Sequence, residues 1–270
     1  FKVWGPAEFQ ADSDGMAHRE QWELKPNDEW HGFGPLEPGF NMLDPIKSTV
    51  VTPGLNIRGE FAERGIPASV VAKYLAEHGV IIEKTGLYSF FIMFTIGITK
   101  GRWNTMLTAL QQFKDDYDKN QPMWRVIPEF CSKFPQYERV GLRDLCQQLH
   151  ESYKAHDIAR LTTEMYTSNM EPAMKPAKAF SCVAHRMTER VGIDHLEGRI
   201  TTSLLTPYPP GIPLLIPGER FNKTIVGYLQ FARDFNARFP GFEADIHGLV
   251  VQEGPSGLEY YVDCVASESL

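Results

Sequence analysis

Two side chains in this sequence stand where chemistry could be done, Glu83 and Tyr208. Glu83 ends the apolar run VIIE immediately before Lys84-Thr85-Gly86. A carboxylate at a strand end beside a turn is placed to face a cleft, where it could pair with a cationic substrate group; a solvated strand end is the plainer alternative. Tyr208 lies in TPYPPGIPLLIPGE, residues 206–219, which places five prolines in fourteen positions. Proline lacks an amide donor and fixes φ, so this stretch is neither helix nor central strand but a stiff loop. A phenol on so rigid a mount could orient a ligand, or cap the core with its hydroxyl outward.

The remaining reactive residue types form no recognisable constellation. No phosphate-binding Walker loop, G-x-G-x-x-G, H-E-x-x-H or G-x-S-x-G occurs. The eight histidines are scattered singly, and His31, His195 and His247 read as packed or capping imidazoles because no ligand partner sits at metal spacing. Cys131, Cys146, Cys182 and Cys264 lie far apart without a C-x-x-C pair, which suits reduced thiols in a cytoplasm. No metal site or disulfide is expected. The acidic run KDDYD reads as a solvated helix face.

The elements that must carry Glu83 and Tyr208 can be read from periodicity and punctuation. KSTVVTPG at 47–54 is a β-branched strand closed by a Pro-Gly turn. GIPASVVAKYLAEHG follows as a helix, with Pro67 in its first turn, Gly79 at its C-terminal cap, and Val70, Val71, Tyr74 and Leu75 on one buried face. VIIEK then reads as a strand, TG as a turn and FFIMFTI as a second strand. Thr99 precedes a helix through NTMLTALQQFKDDYD. This β-α-β-β-α order describes an α/β sandwich, and QPMWRVIPEF, with two prolines, marks a domain boundary near Asn120.

Beyond that boundary GLRDLCQQLHESYKAHD, IARLTTEMYTS and PAKAFSCVAHRMTERVG read as three helices. Strand-like GRITTSLL enters the proline loop and LLIPGE leaves it. NKTIVGYLQFARDFNARF is an amphipathic helix ended by Pro240-Gly241, and IHGLVVQE with LEYYVDCV forms a hairpin about GPSG.

Bulk properties exclude several partners. The chain of 270 residues has a net charge of -7 and no basic cluster interleaved with aromatics, so nucleic acid is not an expected partner. No apolar stretch reaches the ~18 residues of a membrane span, and a soluble, cytoplasmic protein is expected. The opening FKVWGP, without an initiator Met and in apparent mid-strand, suggests a piece of something longer.

Taken in order, WHGF, MLDPIKSTVVTPG, GIPASVVAKYL, EKTGLYSF, GRI, PYPPGIPLLIPGE and FPGFEADIHG resemble the C-terminal half of the bacterial ornithine/lysine/arginine decarboxylases. These are pyridoxal-phosphate enzymes of the aspartate-aminotransferase fold, fold type I. EKTGLYSF and the closing GPSG hairpin are most similar to lysine decarboxylases of the pseudomonad kind.

The resemblance implies an α/β (α+β) chain. Residues 1–120 would be the aminotransferase-like small domain with the β-α-β-β-α core, and residues 121–270 the family's C-terminal α/β domain. It also implies pyridoxal 5'-phosphate as cofactor, bound mainly by a large domain upstream of Phe1. The family's cofactor lysine sits in an S-x-H-K motif, and none of the eight histidines here is followed by lysine. No catalytic residue is therefore expected within this chain, and its cofactor-binding residues are unassigned. The implied reaction converts lysine to cadaverine and CO2, with Glu83 and Tyr208 lining the substrate entrance and Glu83 favouring a long cationic side chain.

Family membership further implies a homodimer with active sites at the interface, and often a ring of dimers. Enterobacterial relatives that respond to guanosine tetraphosphate carry arginines where this chain has Asp115 and Pro122. No alarmone inhibition is expected as a result. Arginine or ornithine decarboxylation is the alternative activity. A stand-alone, non-catalytic assembly or regulatory module is an alternative of another class, and a binding domain unrelated to decarboxylation is a third.

Overall fold

The computed structural model describes residues 1–7, 22–208, 211–254 and 257–267. The chain divides into two compact units, Phe1–Glu151 and Ser152–Leu270. The first contains a four-stranded antiparallel sheet of order β1-β2-β4-β3, built from β1 (Lys2–Val3), β2 (Lys47–Val51), β3 (Lys84–Thr85) and β4 (Ser89–Met93). β2 and β4 pair over five residues, with Thr49 opposite Phe91 and Val50 opposite Phe90.

Alternation along these strands sends Val50, Phe90 and Ile92 into the core. Helices α1 (Ala68–Glu77) and α2 (Lys100–Asp118) pack against each other, with Tyr74 edge-on to Phe113 at 5.2 Å. Tyr74, Phe90 and Phe113 are each at most 1% exposed, and burying side chains of this size contributes roughly 1.5–3 kcal/mol apiece. The order β2-α1-β3-β4-α2 agrees with the order expected from the sequence.

α1 begins and ends where its sequence says. Pro67 is its N-cap, and Gly79 takes a φ of 76° while the amides of Gly79 and Val80 bond back to the carbonyls of Ala76 and Leu75. The expected VIIEK strand is shorter than its sequence suggests. Only Lys84 and Thr85 enter the ladder, opposite Phe91 and Phe90, and Val80 and Ile81 lie beyond the end of β4 at Met93. Ile81 is left 89% exposed. After α2 the first unit continues through α3 (Met123–Val126), α4 (Pro128–Lys133) and α5 (Leu142–Ala155), and the division between units falls within α5.

The second unit holds a three-stranded antiparallel sheet of order β5-β9-β8, from β5 (Thr188–Gly192), β8 (Val250–Gly254) and β9 (Gly257–Val265). β6 (Thr206–Tyr208) and β7 (Asp245–His247) form a separate antiparallel pair. Its helices are α6 (Ile158–Thr167), α7 (Pro176–Ala184) and α8 (Lys223–Arg238). α8 buries Ile225, Tyr228, Leu229, Ala232 and Phe235 and packs against α6.

Three expectations change here. PAKAFSCVAHRMTERVG is a helix only as far as Ala184. Arg186 then adopts a φ of 57°, the Met187 amide bonds to the Cys182 carbonyl, and TERVG becomes β5 against β9. GRITTSLL makes single bridges, Ile200 to Arg220, Thr201 to Cys264 and Leu205 to Leu215, instead of a continuous strand. The hairpin starts at Val250, since Ile246 pairs with Pro207; the central residues of its GPSG turn, Pro255 and Ser256, lie outside the described residues.

Candidate functional site

Glu83 sits one residue before β3, and its backbone amide donates to the Phe91 carbonyl at 3.0 Å. Its side chain is exposed, and its carboxylate makes no hydrogen bond or ion pair to the described residues. The turn beyond it closes with the Gly86 amide donating to the Ser89 carbonyl at 2.7 Å. Behind the turn the Leu87 carbonyl accepts from the Ala68 amide, and the Tyr88 carbonyl from the Thr52 amide, both at 2.9 Å. The Thr52 hydroxyl donates to the Ile66 carbonyl at 2.6 Å, and the Ile66 amide returns to the Pro53 carbonyl at 2.7 Å. The TPG and GIP sequences thus brace the back of the turn that carries Glu83.

Beneath that brace lies a pair of residues that sequence reasoning did not single out. The Tyr88 hydroxyl is 2.5 Å from His150 Nδ1, and His150 Nε2 is 3.0 Å from the Ala62 carbonyl. A carbonyl can only accept, so Nε2 carries the imidazole proton and Nδ1 accepts from the phenol. Tyr88 is 4% exposed and His150 fully buried, with Phe61 edge-on to both rings. Gly54 and Gly65 make the space. A Cβ on Gly54 would strike the Tyr88 ring and approach the Gly65 Cα to 2.8 Å, and a Cβ on Gly65 would strike the His150 imidazole. The glycines of TPG and RGIP were the available signal, since glycine inside a loop marks close approach of packed groups.

Tyr208 closes β6 opposite Asp245 and is 45% exposed, with its ring tilted toward His247 at 6.2 Å. Pro209 and Pro210 lie outside the described residues. On either side of them the loop is tied down. The Gly211 amide donates to the Pro207 carbonyl at 2.9 Å, and a Cβ on Gly211 would sit 3.1 Å from the Tyr208 ring. The Tyr166 hydroxyl of α6 donates to the Ile212 carbonyl at 3.2 Å, and burial raises its pKa, which keeps it a donor. The Glu219 carboxylate accepts from the Ile216 amide at 2.8 Å.

Glu83 belongs to the first unit and Tyr208 to the second. His31 is buried, with Nε2 donating to the Lys25 carbonyl at 2.9 Å and Nδ1 accepting from the Phe33 amide at 3.1 Å. His195 is exposed, and His247 pairs with Asp245 at 3.1 Å. The DPIK sequence is a local lock at the start of β2. Asp44 accepts from the Ile46 amide at 3.2 Å and the Lys47 ammonium at 3.1 Å, and those bonds hold its carboxyl below the usual range. Among the described residues no group of three or more His, Cys, Asp or Glu could hold a metal ion, and no helix is long and apolar enough to cross a membrane.

The same residues decide whether this chain could anchor pyridoxal phosphate. A Schiff-base lysine is activated by desolvation or by a neighbouring cation. Every lysine here is described and exposed except Lys73, whose ammonium lies over the Phe130 ring at 5.1 Å. That donor set does not fit the anchoring of the cofactor by this chain alone.

Comparison with known proteins supplies the family. Residues 1–102 match the major domain of the Orn/Lys/Arg decarboxylases, and residues 159–266 match their C-terminal domain. The lysine decarboxylase LdcA of Pseudomonas aeruginosa is 46% identical over 269 residues, covering 98% of this chain and 36% of its own length. The inducible lysine decarboxylase of Escherichia coli is 38% identical over 256 residues, covering 93% and 35%. A solved structure of lysine decarboxylase A from Pseudomonas aeruginosa superimposes with a TM-score of 0.90 over 98% of this chain. The chain therefore spans about a third of the length of these relatives, at 36% and 35%. With residues 1–102 and 159–266 matching, in order, the two domain types of one family, and 98% of its residues aligned with one lysine decarboxylase, this chain belongs to the Orn/Lys/Arg decarboxylases.

Proposed function

We propose that the full-length protein carrying this chain is a pyridoxal-phosphate-dependent decarboxylase that converts lysine to cadaverine and CO2. The observation that carries this reading is the 46% identity to a lysine decarboxylase across 98% of the chain. The cofactor, when bound, supplies the electron sink for the departing carboxylate. This chain contributes to the approach of the substrate. Glu83, an exposed carboxylate without a partner among the described residues, would hold the distal ammonium of a long basic amino acid. Tyr208, held by Pro207, Gly211 and the anchored Ile212, would border the substrate entrance of the full-length protein.

Residues 1–120 and 121–270 are proposed as the two domains, a division that falls between the matched segments ending at 102 and starting at 159. Cytoplasmic location and a homodimer assembled into rings complete the proposal.

The test is direct. The full-length protein is expected to retain pyridoxal phosphate after borohydride treatment, whereas this chain alone retains none. Glu83→Gln and Tyr208→Phe are each expected to lower kcat/KM for lysine about tenfold or more, on the scale of one charge-assisted hydrogen bond. Unchanged kcat/KM in both variants removes the entrance assignment. A wild-type preference for arginine or ornithine reassigns the substrate. Specific borohydride-fixed cofactor on this chain would place the anchoring lysine within it.

A further inference from the structure

We propose that His150 is a positioning residue for the substrate-entrance turn, acting through the Tyr88 hydroxyl to fix the segment that carries Glu83. This rests on the proposed entrance role of Glu83.

The geometry is more specific than packing requires. His150 reaches two segments distant in the chain, Tyr88 at a separation of 62 residues and Ala62 at a separation of 88. Both ring nitrogens are used, each with the only polarity the neutral imidazole allows. An apolar side chain could fill the same volume but would leave a buried phenol and a buried carbonyl without these bonds. Gly54 and Gly65 are cut back to admit the pair, so the loops on either side are shaped around it. Tyr88 in turn is the rear anchor of the turn. Its carbonyl holds the Thr52 amide, and it directly precedes Ser89, whose carbonyl closes the turn on Gly86. The front anchor is the bond from the Glu83 amide to Phe91. Between those two anchors there are four residues, too few to absorb a displacement of Tyr88 without moving Glu83.

Two measurements test this. The first follows amide hydrogen exchange in the present chain and in its Tyr88→Phe and His150→Asn variants. Tyr88→Phe keeps the ring and removes only the hydroxyl. It is expected to speed exchange at Glu83 and Gly86 about tenfold or more beyond any change at the amides of the first unit remote from the turn, as a local opening on top of the stability lost with the bond. In His150→Asn the amide oxygen stands near the former Nδ1 and accepts from Tyr88, so exchange stays close to wild type. Unaltered exchange in Tyr88→Phe overturns the proposal whatever the kinetics show.

The second measurement uses the full-length holoenzyme. Tyr88→Phe is expected to raise KM for lysine about fivefold with kcat within about twofold, and to add nothing to the KM of Glu83→Gln, since it acts through that residue. Additive effects of the two substitutions overturn the proposal. If Glu83→Gln leaves KM unchanged, the entrance reading itself fails and the positioning role falls with it. If the wild-type protein does not decarboxylate lysine, the functional reading fails, and the exchange experiment alone decides whether His150 holds the turn.

Discussion

Asn120 does its work through a short side chain in an uncommon backbone conformation. It adopts a φ of 50°, which asparagine tolerates better than most residues. Its Oδ1 accepts from the amides of Arg143 at 2.9 Å and Asp144 at 3.3 Å, and its Nδ2 donates to the Asp144 carboxylate at 2.9 Å. The first turn of α5 is therefore capped by a residue more than twenty positions upstream, and Gly141 is the side-chain-free neighbour that lets the amide approach. Asn120→Gly keeps the backbone conformation and loses the cap. Asn120→Ala loses both. The expected costs are about 1 kcal/mol for the first and about 2 kcal/mol for the second. Urea unfolding followed by exchange of the Arg143 and Asp144 amides would read them, and equal stability of both variants to wild type would show that Asn120 is dispensable. In the sequence this residue looked like a boundary marker, because the bonds it makes are closed by the fold.

At the scale of elements, legibility followed whether an element's limits are set locally. α1 could be read to its ends because Pro67 and Gly79 punctuate it, and α8 because Asn222 accepts from the Ile225 amide at 2.9 Å and Gly241 follows its last turn. The end of α7 was missed because Arg186 takes the left-handed position that glycine usually fills. β3 was overread because an apolar run does not by itself make a strand: of VIIEK only Lys84 pairs with β4, joined by Thr85. Glu83 was singled out from its neighbours in sequence, whereas His150 could not be, since both of its partners lie more than sixty residues away. The last turn of α2 shows how an element's own chemistry constrains a ligand. Asp115, Asp116 and Asp118 gather at a helix C-terminus, where the backbone dipole is already negative, and Lys114 is engaged by Asp118 at 2.5 Å. Pro122, just beyond, brings no charge. A polyphosphate should be repelled from this end, and calorimetric titration of guanosine tetraphosphate into the full-length protein is expected to give no binding tighter than about 1 mM. A measurable heat, abolished by substitutions around Asp115, would refute that reading.

For the molecule as a whole, each unit hides two free thiols, Cys131 and Cys146 in the first and Cys182 and Cys264 in the second. Burial is the leading cause that pushes Cys131 up to about 11 and Cys264 up to about 12, and it raises Cys146 further still. Tyr74 and Tyr228, also buried, are raised for the same leading reason. The linkage has a definite sign. A group that holds its proton more tightly folded than unfolded leaves the folded state fully favoured below the unfolded pKa, near 9 for a thiol, and erodes that advantage as pH rises toward the folded value. Stability should thus be flat from about pH 7 to about pH 8.5 and decline from about pH 9 upward. The decline should occur in both units, since each contains one of the two thiols with a value between 9 and 12. Growing negative charge on a chain that already carries -7 adds to it. Urea midpoints measured across this range, together with thiol titration at pH 8, test the argument. The expected result is no reaction of the thiols in the folded chain, four on denaturation, and a midpoint that begins to fall near pH 9. A thiol that reacts rapidly in the native protein would show that at least one of these side chains is reached by solvent. A midpoint that rises between about pH 9 and about pH 11 would reverse the sign of the linkage, and burial would then no longer explain the proton affinities of these thiols.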